Sequence, residues 1–384
     1  MIEHGRPLIA LVMAGGGARA AYQVGVLKAI AKMLPEGSPN PFRIISGTSA
    51  GAINATALAI YAQHFQDAVR KLNFVWKNFH VEQVYRADAW GIVKTGARWF
   101  GTLALGGLGK HNPQSLFDRS PLHQLLERYL PCERIQGSID SGALHAVSVT
   151  ASGYTSGQSV TFYQGVESLK PWARSRRIGC ACQISIDHLM ASSAIPFLFG
   201  AIKINREYFG DGSMRQIAPV SPALHLGADR VFAIGVRYEP NGQAVRTEQQ
   251  EYPSLAQIAG HVLNSIFFDA LEADIERLRR INEALKLIPT EYLGQTEVRM
   301  KKIETFFISP SHDIEPIAAK HARSLPRALR LLLRGVGAQR RHGANLVSYL
   351  LFERAYCREL IALGYADAMG RKDEILSFLD IPGR

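Results

Sequence analysis

The feature that most constrains the fold is an apolar strand followed at once by a glycine-flanked serine and a helix. Ile44-Ile45 precedes Gly47–Gly51, which reads Gly-Thr-Ser-Ala-Gly, and Ala52–Ile60 has helical composition. Glycines two positions either side of a serine let a strand turn sharply into a helix, with the serine at the apex. Its hydroxyl then projects beside a helix N-terminus, where negative charge is stabilised. The motif fits a nucleophilic Ser49, but taken alone it is more often a turn whose serine caps the helix, so the other motifs decide between the two interpretations.

A second glycine loop lies near the start of the chain. Leu8–Met13 is predicted to be a buried strand, Gly15–Arg19 reads Gly-Gly-Gly-Ala-Arg, and Ala20–Met33 has helical composition. Three glycines can point successive backbone N–H groups at an anion, either a phosphate or the oxyanion of an acyl intermediate. Arg19 fits three interpretations: a solvated arginine, a brace for the loop, or a contact for an anionic head group.

The same loop also fits the fingerprint of dinucleotide-binding proteins. Gly15, Gly17 and Ala20 have its spacing, and Glu36 follows roughly 20 positions later, where a ribose-binding carboxylate is expected. Glu36, however, lies within Pro35–Pro39, which predicts a turn, whereas the fingerprint needs its carboxylate at a strand end. A nucleotide-binding module therefore stays as a less favoured alternative.

Asp211, within Phe209–Ser213 (Phe-Gly-Asp-Gly-Ser), is a candidate base for Ser49, although Asp-Gly is also a frequent turn dipeptide. A serine hydroxyl needs a base, which is a histidine held by a carboxylate or, less often, a carboxylate alone. None of the 12 histidines lies in a glycine-rich turn. Among the histidines, His225 is the least unfavourable candidate for a catalytic triad. A triad of the α/β-hydrolase type is also disfavoured, because the serine of those enzymes follows several strands and Ser49 follows only two predicted ones.

Together and in this order, the three glycine-rich motifs resemble those of the patatin-like phospholipase family of Ser-Asp lipid acyl hydrolases. Ala191–Pro196 (Ala-Ser-Ser-Ala-Ile-Pro) is similar to the segment before the family's aspartate, and Pro219-Val220 to the one after it. The resemblance covers about residues 8 to 240. It implies an acyl hydrolase that needs no metal or cofactor and acts on a phospholipid or another fatty-acyl ester, with an acyltransferase using the same serine as the alternative.

The resemblance also implies a role for individual residues. Ser49 becomes the nucleophile and Asp211 its base. Four residues are expected to form the oxyanion hole, and four others to support the site. The oxyanion residues are Gly15, Gly16, Gly17 and Ala50, and the supporting residues are Arg19, Gly47, Gly51 and Gly212. Ala20 and Ser213 stand where the family usually has a smaller residue, which predicts altered packing and no loss of chemistry.

Composition fits a protein with a sizeable core, since 47% of its 384 residues are hydrophobic. No apolar run reaches the roughly 18 to 20 residues that span a bilayer. The four cysteines fit reduced thiols, and Met1–Pro7 does not resemble a signal peptide, which predicts a cytoplasmic protein. The net charge of +11 favours peripheral contact with an anionic membrane, and no motif supports nucleic-acid binding.

Periodicity predicts an α/β sandwich with a doubly wound, mostly parallel sheet, followed by a mainly helical C-terminal region. The predicted strands are Leu8–Met13, Phe42–Ser46, Leu144–Ala151, Val160–Tyr163, Ala201–Ile204, Arg230–Val236 and Ile303–Ile308. The predicted C-terminal helices are Leu255–Lys286, Leu325–Arg334 and Asn345–Leu363. We expect a catalytic domain at 8–240 and a helical region at 253–384. Thr95–Pro113 fits either a lid or a core-lining connection.

Overall fold

A mixed sheet of ten strands organises the part of the chain that the structure describes. The computed structural model describes residues 7–86, 115–239, 255–267, 269–288, 301–335 and 344–381, so the segment predicted as a lid, 95–113, lies outside the described residues. The strands are β1 (Ile9–Met13), β2 (Ile44–Thr48), β3 (Ala146–Gly153), β4 (Ser159–Gly165), β5 (Trp172–Arg174), β6 (Arg177–Ala181), β7 (Ile202–Ile204), β8 (Glu207–Asp211), β9 (Arg230–Ile234) and β10 (Glu304–Ile308).

The centre of the sheet is parallel. Its order is β10-β9-β1-β2-β3-β4-β6-β5, and the first five of these strands run in the same direction. Alternate residues of β1 belong to two separate apolar clusters, Leu11 and Met13 to one and Ala10 and Val12 to the other. A strand that is apolar on both faces must be covered on both faces, which is the usual condition of a parallel sheet. The predicted α/β sandwich is confirmed.

Helices follow most strands and cover the sheet. They are α1 (Ala21–Met33), α2 (Ala50–Ile60), α3 (Phe65–Lys77), α4 (Ser120–Tyr129), α5 (Arg134–Asp140), α6 (Ile186–Ser192), α7 (Ser221–His225), α8 (Leu255–Phe267), α9 (Asp269–Lys286), α10 (Ile314–His321), α11 (Arg327–Gly335), α12 (Ala344–Leu350), α13 (Arg354–Gly370) and α14 (Lys372–Phe378). No helix in the described ranges is both long enough and apolar enough to cross a membrane.

The sheet brings the carboxyl ends of β2 and β8 together. One edge of β3 pairs in parallel with β2 as far as Thr150, which lies opposite Thr48. The other edge is occupied by β4 over this stretch. β8 therefore pairs antiparallel with the first edge just beyond β2, with Asp211 opposite Ala151. As a result, Thr48 and Asp211 lie opposite consecutive residues of β3.

The C-terminal region is tied to the rest of the fold in two places. β10 extends the parallel sheet beside β9. α13 packs along α1, and the two helices meet at Gly25 and Gly364, where a Cβ on either residue would overlap the backbone of the other helix. Small residues at a crossing allow two helix backbones this close an approach.

Several predicted elements differ from the structure. Leu255–Lys286 forms two helices, α8 and α9, and Asn345–Leu363 divides into α12 and α13. Leu351 and Phe352, between α12 and α13, are buried and not helical, and Phe352 packs edge-on against Phe79, with ring centroids 5.9 Å apart. The strands β5, β6 and β8 were not predicted, since they are short and lack a clean apolar alternation.

Candidate active site

Ser49 occupies the corner between β2 and α2. Its φ is 54° and its ψ is −129°, a left-handed conformation that is uncommon outside glycine and costs on the order of 1–3 kcal/mol. The Ser49 carbonyl accepts the amide of Ala52 at 2.9 Å, which starts the helix. The residue is 2% exposed. The predicted strand–serine–helix corner is therefore present and holds the serine in a strained backbone.

The two glycines flanking the corner are required by close packing. A Cβ at Gly47 would overlap the carbonyl oxygen of Gly51, where α2 folds back over the end of β2. A Cβ at Gly51 would overlap the carbonyl oxygen of Met13, at the end of β1. Since real Cβ atoms do not approach backbone so closely, only glycine fits at either position. The spacing of the motif thus reflects how tightly the start of α2 packs on two strands.

Asp211 ends β8 and is fully buried. Its Oδ1 accepts the backbone N–H of Ser213 at 2.9 Å. Its Oδ2 is buried and makes no hydrogen bond of normal length and angle within the described ranges. Burial raises the pKa of Asp211 to about 6, while the Ser49 hydroxyl, the donors of Ser213 and the charge of Arg119 lower it. The Ser49 hydroxyl beside this buried carboxylate fits a proton transfer between the two residues.

The segment before β7 holds both residues in place. Ser192, at the end of α6, accepts the backbone N–H of Ser49 at 2.8 Å and donates its own proton to the Thr150 carbonyl at 2.6 Å. Two residues later, the carbonyl of Ala194 accepts the backbone N–H of Asp211 at 2.9 Å. The Ala-Ser-Ser-Ala-Ile-Pro segment therefore accepts hydrogen bonds from the backbone amides of both the serine and the aspartate.

The glycine loop lies at the end of β1, beside Ser49. Gly16 and Gly17 have φ values of 151° and 55°. Gly17 lines the same cavity as Ser49 and Ala50, whereas Gly15 and Gly16 are buried outside its lining. Gly17 of the glycine loop and the start of α2 therefore line the same cavity as the serine.

The two remaining supporting residues are buried close to the site. Gly212 packs against Thr150, where a Cβ would overlap the carbonyl oxygen. Arg19 is 3% exposed and binds α12, because its Nε donates to Ser348 Oγ at 2.7 Å and a terminal nitrogen donates to Asn345 Oδ1 at 2.8 Å. Its guanidinium also lies 4.7 Å from the ring centroid of Tyr349. Of its three interpretations, the contacts agree with a brace.

Two buried polar residues near the site were not found in the sequence. Arg119 is 6% exposed and donates to Ser193 Oγ and to the Gly200 carbonyl, each at 3.1 Å. Burial lowers the pKa of Arg119 to about 10, and the charge of Asp211 raises it. Gln216 accepts the hydroxyl of Thr48 at 2.5 Å. Neither residue lies in a glycine-rich motif, so no local sequence pattern indicated that it belongs near the site.

An apolar cavity of about 800 Å³ runs from Ser49 toward the surface. Its wall comes from α2, α3, α4, the turn after α3 and the residues around α12. Examples of the buried side chains that line it are Leu72, Trp76, Leu126, Phe199 and Phe352. A cavity of this size and character is typical of sites for small apolar ligands. Among the buried residues of its lining, Ser49, Ser193 and Tyr349 carry a hydroxyl group.

The residues of the alternative interpretations lie elsewhere. His225 ends α7, where its ring stacks on Trp172 with centroids 4.8 Å apart and its Nδ1 bonds the Ser221 carbonyl at 2.8 Å. It is not part of the cavity lining around Ser49. Glu36 lies in an exposed turn between α1 and β2, not at the end of a strand. The geometry therefore brings neither residue to the serine or to the glycine loop.

Comparison with known proteins gives a family match. A family model described as "Patatin-like phospholipase" matches residues 11–224. A search of curated proteins gives no match. Among solved structures, VipD from Legionella pneumophila is similar at 14% identity and a TM-score of 0.37, covering 98% of this chain and 67% of that one.

A second similar structure is the human GIVD cytosolic phospholipase A2 in complex with methyl gamma-linolenyl fluorophosphonate. Its identity is 14% and its TM-score 0.41, and the match covers 97% of this chain. The chain spans 59% of the length of that protein.

Proposed function

The chain belongs to the patatin-like phospholipase family, and from this premise we propose that it is a lipid acyl hydrolase in which Ser49 is the nucleophile and Asp211 its base. The observation that carries the proposal is the meeting of β2 and β8. It brings a strained serine that lines an apolar cavity close to the fully buried carboxylate of Asp211.

In the proposed reaction, Asp211 accepts the hydroxyl proton as Ser49 Oγ attacks the acyl carbonyl carbon. Backbone N–H groups of Gly17 and Ala50 donate to the oxyanion that forms, with Gly15 and Gly16 holding the loop in shape. The tetrahedral intermediate collapses to an acyl-enzyme, and the leaving alcohol takes the proton from Asp211. Water then attacks the acyl carbonyl carbon as Asp211 accepts its proton. The bond to Ser49 Oγ breaks, Asp211 returns the proton to that oxygen, and the fatty acid leaves.

The cavity supports a fatty-acyl group as the part of the substrate that is bound. Its buried lining is mainly Leu, Ile, Val, Ala and aromatic side chains, which match a hydrocarbon chain and offer few partners to a polar one. Such a substrate resides in membranes, so we also propose that the protein contacts an anionic membrane peripherally. Residues 8–240 would form the catalytic domain, and the region 253–384 would support it.

The role of Arg119 in this proposal is electrostatic. A buried cation favours the ionised form of a nearby carboxylate, and Asp211 must be ionised to accept a proton. Arg119 also holds Ser193, which lines the cavity, through the bond to its Oγ. The guanidinium therefore favours the ionised form of Asp211 and also positions Ser193.

The proposal is tested by labelling the purified chain with a fluorophosphonate probe, which reacts with an activated serine and assumes no lipid substrate. We expect the wild type to be labelled and both Ser49→Ala and Asp211→Asn to lose labelling. Ser324→Ala is the control, because it removes an exposed serine hydroxyl that lies outside the cavity lining. Labelling that persists in Ser49→Ala, or a wild type that stays unlabelled with and without anionic vesicles, contradicts the proposal.

A second measurement separates hydrolysis from transfer. Turnover of a fatty-acyl ester in the presence of an added alcohol yields free fatty acid if water is the acceptor, and a new ester if the alcohol is. We expect free fatty acid as the main product.

A further inference from the structure

The cavity beside Ser49 reaches the surface at a patch of unusual composition. Most of its lining residues are buried or half-buried. The exposed ones come from α3, from α4 and from the first residue of α5. They are Arg70, Lys71, Phe74, Arg128, Tyr129 and Arg134. We call these six residues the basic rim.

The charge of the basic rim is of one sign. Four of its residues are basic, and no Asp or Glu lines the cavity in the described part of the chain. The Arg70 side chain is 77% exposed and pairs with Asp67, itself 47% exposed and outside the lining. An exposed pair of this kind is weak, so Arg70 can exchange its partner for another anion at little cost. The basic rim therefore suits an anionic surface.

Its aromatic residues are exposed as well. Phe74 is 63% exposed and Tyr129 is 40% exposed. Arg128 lies over the Tyr129 ring at 5.5 Å, and Lys71 over the ring of Tyr61 at 3.6 Å, so basic groups and rings are interleaved. Exposed aromatic side chains among lysines and arginines are the combination found where proteins meet a bilayer interface, with the rings at the headgroup level.

We propose that the basic rim docks on an anionic bilayer, with Phe74 and Tyr129 entering the interface and the four basic side chains binding lipid phosphates. The mouth of the cavity then faces the membrane, so an acyl chain passes from the bilayer toward Ser49 without crossing water. This inference rests on the proposed function, because it assigns the membrane as the source of the acyl substrate. A partner of another class, such as an acidic soluble protein, would give no vesicle binding.

The test is co-sedimentation of the full chain carrying Ser49→Ala, which prevents lipid turnover, with phosphatidylglycerol vesicles and with phosphatidylcholine vesicles. We expect binding to phosphatidylglycerol that weakens as salt rises, since screening shortens the reach of the charges. Arg70→Glu should weaken this binding about tenfold, from the electrostatic contribution of a basic residue near an anionic surface. Phe74→Ser should weaken binding to both vesicles by a similar factor, about tenfold, because an apolar ring is lost from the interface.

The chain offers a matched control for each variant. The Arg280 side chain is 79% exposed and pairs with Glu276 on its own helix, much as Arg70 pairs with Asp67, and Arg280 lies outside the cavity lining. Arg280→Glu therefore changes the net charge as Arg70→Glu does, away from the basic rim. Leu331 is 68% exposed, and Leu331→Ser matches Phe74→Ser. Both controls should bind phosphatidylglycerol as the parent does.

Two results would overturn the inference. One is a parent chain that does not sediment with phosphatidylglycerol. The other is equal weakening by Arg70→Glu and Arg280→Glu, which assigns the attraction to net charge and not to the basic rim. If Arg70→Glu lowers the melting temperature, Arg128→Glu tests the contribution of the basic rim to vesicle binding in its place. Vesicle binding needs no reactive serine and probe labelling needs no bilayer, so failure of this inference is distinguishable from failure of the proposed function.

Discussion

Arg19 Nε donates a hydrogen bond of 2.7 Å to Ser348 Oγ, joining two residues that lie 329 positions apart. Arg19 belongs to the short helix that follows the glycine loop, and Ser348 belongs to α12 in the C-terminal region. The carbonyl of Tyr349 packs directly against Gly17. The C-terminal region thus packs directly against the loop that is proposed to bind the oxyanion.

This contact predicts the effect of Ser348→Ala. The variant removes the Ser348 hydroxyl that accepts from a buried guanidinium, which should destabilise the fold by about 1–3 kcal/mol. If Arg19 positions the loop, kcat should fall while KM changes little, because the oxyanion forms only in the transition state. Steady-state kinetics with a soluble ester measure kcat and KM separately.

Ser324→Ala is the control for Ser348→Ala. The hydroxyls of Ser324 and Ser348 each donate 2.5 Å to the carbonyl three residues earlier, but Ser324 is exposed. The control therefore removes the same local bond and keeps the contact to Arg19. Equal losses of kcat in the two variants would mean that the contact to Arg19 plays no part.

Gly17→Ala tests the packing of the glycine loop. Its Cβ would overlap the Tyr349 carbonyl, and its φ of 55° disfavours any side chain. We expect turnover to fall on the order of 10²-fold, as for loss of an oxyanion donor. Gly37→Ala is the matched control, since Gly37 has a φ of 76° and open space around its Cβ. It should cost stability of about 1 kcal/mol and leave kcat unchanged. Turnover near the wild-type value in Gly17→Ala would contradict the assignment.

The raised pKa of Asp211 predicts the pH dependence of activity. Burial lifts the pKa to about 6, and the base must be ionised to accept a proton. kcat/KM should therefore rise with pH along an acid limb centred near pH 6. A limb near pH 4, the ordinary range of an aspartate, would argue that Asp211 is not the base.

The same shift predicts the pH dependence of stability. The pKa of Asp211 is raised in the folded chain above its ordinary value of 3.8. The unfolded chain therefore releases this proton first as pH rises. The free energy of unfolding should fall between about pH 4 and pH 6, by up to about 3 kcal/mol at 1.36 kcal/mol per pKa unit. Chemical denaturation of Asp211→Asn should lack this component.

Substitutions of Arg119 test whether its charge lowers the pKa of the proposed base, Asp211. Its charge lowers the pKa of Asp211, so Arg119→Met should raise that pKa and move the acid limb to higher pH. Arg119→Lys keeps a positive charge and should move the limb less. A purely structural role, through the bonds to Ser193 and Gly200, would lower activity at every pH and leave the limb where it is.

Part of the site was predictable because it is local. The corner at Ser49 requires small residues at Gly47 and Gly51 within one turn of chain, and the glycine loop follows β1 directly, so short windows of sequence contain both. The apolar runs that became β1 and β9 were equally visible, since burial on both faces leaves an unbroken apolar pattern. Membership of the family followed from these motifs in order.

The rest depends on contacts between distant parts of the chain. The sequence by itself determined the strand–loop–helix units, because backbone sterics and hydrophobic periodicity act over a few residues. Only the tertiary structure decided that β8 continues the edge of β3 beyond β2, which brings Asp211 to Ser49. It also decided that Arg119 lies near Asp211 and that α12 covers Gly17. Such pairings depend on which surfaces bury one another, and no short stretch of sequence records that choice.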